Sequence, residues 1–145
     1  MNTVIRSALV IALLPSCLLL LGCNKGPEIV PVSGQVLIDG KPLEHGYIRV
    51  LPTSGRAAQA EIHKEGKFTL TTKVEGDGCL LGTHVVAIIA LEIIGPGKQR
   101  WHAPNKYRKA KTSGLTVQID GPTDDLTVEL SWDGGKPFID PLNGG

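Results

Sequence analysis

Cysteine and aromatic side chains are scarce in this sequence: 3 Cys, 2 Trp, 2 Tyr and 2 Phe among 145 residues. A core built from this chain must therefore be aliphatic, and no disulfide framework is available to staple it. An excess of either charge is missing as well, with 15 basic residues against 14 acidic and a formal net charge of +1. That balance excludes a general nucleic-acid binder, which concentrates basic charge on one face. Catalytic and metal-binding spacings are also lacking. The four histidines, His45, His63, His84 and His102, form no H-x-x-x-H pair, and the cysteines do not cluster. Ser33, Ser54, Ser113 and Ser131 stand in no G-x-S-x-G elbow. A metal site shared by His63 and His84 from facing strands is the one spatial alternative. Asp120, Asp124 and Asp125 lie around one turn without the ligand order of a calcium loop and read as a solvated turn. The chain is expected to be non-enzymatic, with no cofactor and no metal.

What is present begins with an address. Val4 to Gly22 is almost wholly apolar, Arg6 and the Met1 amine supply a positive n-region, and Ala8 to Leu21 forms the h-region. About 20 such residues could cross a bilayer, but the run ends in Leu20-Leu21-Gly22-Cys23, which resembles a bacterial lipobox. Gly22 is small enough to admit a peptidase, and the Cys23 thiol can carry a thioether-linked diacylglycerol. Residues 1–22 are expected to be a lipoprotein signal peptide, cleaved between Gly22 and Cys23, and 23–31 a lipidated tether. Two or three acyl chains anchor stably where one alone is marginal, at about 0.8 kcal/mol per buried CH₂. Asn24 in place of Asp after the acylated Cys favours the outer membrane over the inner. Of the three cysteines, Cys17 would leave with the leader and Cys23 would be acylated, so Cys79 would be a free, small, buried group.

From Val32 the pattern switches to period two. Val32, Gly34, Val36 and Ile38 share a face, and Asp39-Gly40 is a strong hairpin signal. Gly46–Leu51, Ala58–His63, Phe68–Thr71, Leu115–Asp120 and Leu126–Ser131 alternate in the same way. Thr83 to Ile94 is apolar on both parities and reads as a strand covered on both faces. Gly95 to Thr112 reads as an irregular basic loop, and Trp132 to Gly145 as a loose Gly/Pro-rich tail. Seven short strands and no convincing helix suit an all-β, seven-stranded antiparallel β-sandwich of about 100 residues. It would occupy 32–131, with 132–145 a flexible tail. Phe68 is the expected large core plug.

Val32-Ser33-Gly34-Gln35-Val36, Asp39-Gly40-Lys41-Pro42-Leu43-Glu44-His45-Gly46, Gly66-Lys67-Phe68-Thr69-Leu70 and Leu81-Gly82-Thr83-His84-Val85-Val86 together resemble carboxypeptidase regulatory-like domains. In the last of these, His84 stands where an aromatic is usual. Pro104-Asn105-Lys106-Tyr107 with Thr112-Ser113-Gly114-Leu115-Thr116 resembles a version common in small planctomycete lipoproteins. The resemblance spans Val32 to Leu130. It implies a transthyretin-like (prealbumin-like) sandwich, an Ig-like Greek key, acting as an accessory module, and it transfers no catalytic residue. The expected function is a membrane-anchored, non-catalytic structural or protein-interaction module of the cell envelope. Its partners would be the membrane, through the lipid, and an envelope protein. The alternative is a glycan- or peptide-binding accessory protein using the 98–111 loop, whose cations surround Trp101 and Tyr107. Arg100, Trp101, Lys106 and Tyr107 are its candidate ligand residues, since aromatic rings stack on sugars and loops on rigid sandwiches carry binding.

Overall fold

The computed structural model describes residues 26–141. The expected leader, Gly22, Cys23 and the first part of the tether lie outside the described residues. The described chain is all-β. Its strands in chain order are β1 (Ile29–Val30), β2 (Val32–Ile38), β3 (Lys41–Pro42), β4 (Tyr47–Pro52), β5 (Ala58–Glu61), β6 (Lys67–Thr69), β7 (Cys79–Leu80), β8 (Gly82–Ile89), β9 (Leu91–Gly95), β10 (Lys98–Trp101), β11 (Leu115–Ile119), β12 (Thr123–Leu130) and β13 (Phe138–Pro141). Helix is confined, among the described residues, to the single turn α1 (Ala110–Ser113) and to 3-10 turns at Lys64–Gly66 and Asn105–Arg108. No helix of the described residues is long and apolar enough to cross a membrane.

β2 is the hub of the first sheet. Its burial alternates strictly, with Val32, Gly34, Val36 and Ile38 inward, as the period-two pattern requires. β12 runs beside it in parallel, while β6 and β3 pair antiparallel along the two halves of its other edge. The β2–β3 reversal is made by Asp39 and Gly40 at φ 48° and 75°, the consecutive positive values that an Asp-Gly hairpin turn needs. The second sheet has the order β11-β8-β4-β5, antiparallel throughout. Paired backbone hydrogen bonds of 2.9 Å between Gln59 and Thr71 stitch β5 to the chain just after β6, joining the two sheets at one margin. Val36, Phe68, Leu70 and Val128 from one side and Ile48, Val50, Val86 and Ile119 from the other merge into a single aliphatic core. Each fully buried Val, Ile or Leu contributes roughly 1.5–3 kcal/mol relative to exposure.

Four features depart from the sequence-based expectation. Thirteen strands in four sheets replace seven in one antiparallel sandwich, and the β12–β2 pairing is parallel. The long apolar run does not stay one doubly covered strand. It breaks at Ala90, and Val85 and Ile93 are 37% and 62% exposed. β9 leaves the second sheet and forms a hairpin with β10, to which β13 adds, so neither the basic loop nor the tail is wholly irregular. The tether, finally, ends early, because Ile29 and Val30 pair with Leu80 and Cys79.

Candidate functional site

The β9–β10–β13 sheet and the loop between β3 and β4 meet at a corner that gathers two imidazoles, a carboxylate and a guanidinium. Its geometry begins with Gly46. At φ 116° the position suits glycine, and a Cβ there would lie 2.2 Å from the Ile89 carbonyl oxygen. The Gly46 carbonyl accepts the Ile62 amide at 2.8 Å. The backbone before β4 is thus pressed onto the corner where β8 becomes β9, and His45, its neighbour, is held above that corner. On the other side, the His102 amide donates to the Ala90 carbonyl at 2.8 Å, so the chain leaving β10 stays on the same corner.

Strand register supplies the third group. Glu92 lies opposite Arg100, and alternation puts His102 diagonally on the same face. His102 Nε2–H donates to Glu92 Oε2 at 2.8 Å, and Arg100 Nη1 stands 3.5 Å from that oxygen. The rings of His45 and His102 stack with centroids 4.5 Å apart and planes at 29°. The hydrogen bond from His102 holds the Glu92 carboxyl below its ordinary 4.5. Partial desolvation opposes this, and electrostatic attraction to the Arg100 guanidinium adds to it. His45, Glu92 and His102 each bring one donor atom to within 4.8 Å of the others, the one such trio among the described residues. Two imidazoles and an ionised carboxylate are the donor set of many divalent-cation sites.

No family model, curated protein or solved structure matches the chain.

The candidate residues of the basic loop are placed differently from one another. Arg100 stands on the face just described and Lys106 pairs with Asp133 at the surface. Trp101 and Tyr107 are each only 5% exposed, which corrects the expectation that their rings stack on a sugar. Trp101 packs against Phe138 with centroids 6.4 Å apart, and the Arg108 guanidinium covers its ring at 5.9 Å. Tyr107 accepts the Ser131 amide at 3.0 Å through its hydroxyl and donates to the Ser131 carbonyl at 3.2 Å, fastening the Asn105–Arg108 turn to the end of β12. Both are pillars of the fold, because the loop coils back over the sheet ends and buries them.

His63 and His84 are not brought together. Glu61, two residues before His63, pairs with Tyr47 at the start of β4, while His84 pairs with Pro52 at its end. His84 is buried, and its Nε2–H donates to the Leu80 carbonyl at 2.7 Å. Asp120, Asp124 and Asp125 form no such donor group either; Asp120 accepts from Gln118 at 2.8 Å. Cys79 is buried as expected, and desolvation pushes its thiol up to about 11. Spacing could not reveal the His45–Glu92–His102 trio, because its members come from three separate segments. One signal was available: Gly95-Pro96-Gly97 punctuates a hairpin, and a hairpin there sets Glu92 against Arg100 and His102.

Proposed function

We propose that this chain is an exported lipoprotein, tethered through acylated Cys23 to the envelope, the outer membrane in preference to the inner. It carries a transthyretin-like, carboxypeptidase regulatory-like sandwich that serves as a non-catalytic, protein-interacting module. The Leu20-Leu21-Gly22-Cys23 sequence after an apolar run supports the location. The two main sheets sharing one aliphatic core support the sandwich.

The observation that carries the interaction role is the β9–β10–β13 sheet. Ile93 on β9 and Phe138 on β13, which the register sets on the same face as Trp101, are 62% and 44% exposed; Ile139, on the opposite face beside Arg100, is 54% exposed. Large apolar side chains held outward on rigid strands, with the Arg108 guanidinium over the neighbouring Trp101 ring, are the composition of a protein-contact surface rather than of a solvated loop.

Two measurements test this. Cys23→Ser should abolish incorporation of labelled fatty acid and leave the protein at its unprocessed mass; unchanged labelling removes the anchor. A photocrosslinking residue at Ile93 should trap a discrete envelope protein that one at exposed Lys73 does not trap. Equal crosslinking at both positions argues against the sheet as a contact surface.

A further inference from the structure

We propose that His45, Glu92 and His102 form a binding site for a borderline divalent cation, zinc being the type metal, at the corner between the second sheet and the β9–β10–β13 sheet. This goes beyond the envelope-module function and is independent of whether Cys23 is acylated.

Three observations converge. The donor types are right: imidazole nitrogen and carboxylate oxygen suit zinc and its neighbours, whereas calcium and magnesium take oxygen ligands. The donor atoms already lie within 4.8 Å of one another. A tetrahedral ion with bonds of 2.0–2.1 Å separates its donors by about 3.4 Å. The remaining closure is a side-chain rotation, and His45 is exposed, its ring stacked on that of His102. The supporting backbone is fixed on each side of the trio, by Gly46 against Ile89, by the β9–β10 register and by the His102 amide on Ala90. Such placement reduces the ordering cost that an exposed cluster otherwise bears.

Arg100, 3.5 Å from the Glu92 carboxylate, is the competitor: a cation arriving at Glu92 must displace or share with the guanidinium. Three protein donors leave at least one coordination position open to water or to a donor group of a partner. The site would therefore bind a metal at the surface rather than enclose one as a structural staple.

The test is titration of Zn²⁺ into the full-length chain in detergent, followed by calorimetry. One ion per chain should bind. His45→Ala and His102→Ala should each weaken binding about ten- to a hundredfold or more, Glu92→Gln should weaken it, and Arg100→Gln should tighten it. His63→Ala, which removes an exposed imidazole elsewhere, should change nothing. Zn²⁺ should also raise the thermal unfolding midpoint of the wild type and not that of His45→Ala. Because His45 is exposed, that variant keeps the test decisive even if His102→Ala fails to fold. Zn²⁺ affinity that is the same in wild type, His45→Ala and His63→Ala would overturn the site, as would the absence of binding.

Discussion

Phe68 shows how much one side chain can carry in a chain with few aromatics. It is buried on β6, directly opposite Gly34 of β2, and belongs to the core that both main sheets share. Truncation there leaves a cavity that aliphatic neighbours on two rigid sheets can close only in part. Phe68→Ala should cost about 3–5 kcal/mol, read as a lowered denaturant midpoint at unchanged slope. A loss below about 1 kcal/mol would mean that the site collapses freely and that Phe68 is not the plug. The exposed Lys106–Asp133 pair is the opposite case. The ion pair raises the Lys106 pKa and lowers that of Asp133, yet solvent screens the charges, so it adds little to stability.

Among the elements, the loop between β6 and β7 is organised by a single carboxylate. Asp77 accepts the amides of Thr72 at 2.7 Å, Lys73 at 2.9 Å and Val74 at 3.0 Å. The Thr72 hydroxyl donates to the Gly78 carbonyl at 2.8 Å, and the Gly76 amide donates to the Thr71 hydroxyl at 2.9 Å. The amides, Thr72 foremost, hold the Asp77 carboxyl below its ordinary 3.8. A group with a depressed folded-state pKa stabilises the fold above its ordinary value, and the stabilisation is lost as pH falls through the lower, folded-state value. Asp77→Ala should therefore unfold more readily than wild type at neutral pH, and the gap should narrow below about pH 4. Thermal melts across that range decide it; a gap independent of pH would show that the charge on Asp77 does not matter to the loop.

At the scale of the whole molecule, the β9–β10–β13 sheet is an appendage whose outer strand comes from the C-terminal stretch. Phe138 lies over Trp101 and meets Trp132 edge-on at 6.5 Å. Deleting residues from Lys136 onward should uncover Trp101, shift its fluorescence to the red and lower stability by about 1–2 kcal/mol, an apolar-area cost for a half-buried ring. The far-UV signature of the two main sheets should persist, because their shared core does not include β13. Cooperative loss of all β-structure on that truncation would mean that the appendage is integral to the fold.

Local patterning determined the strands of the main sheets. Period-two alternation marks β2, β4, β5, β6, β11 and β12 because a strand half-buried against one core must alternate, and Asp39-Gly40 sets its turn because few other pairs adopt that backbone. The parallel placement of β12 beside β2, the break at Ala90 and the recruitment of β13 were decided only by tertiary structure. These depend on which edge is free and which face needs cover, and no short window of residues encodes either. The same holds for the histidines. His45, Glu92 and His102 bear no spacing relation along the chain. The close approach of Gly46 to Ile89 and the β9–β10 register bring their donor atoms to one corner.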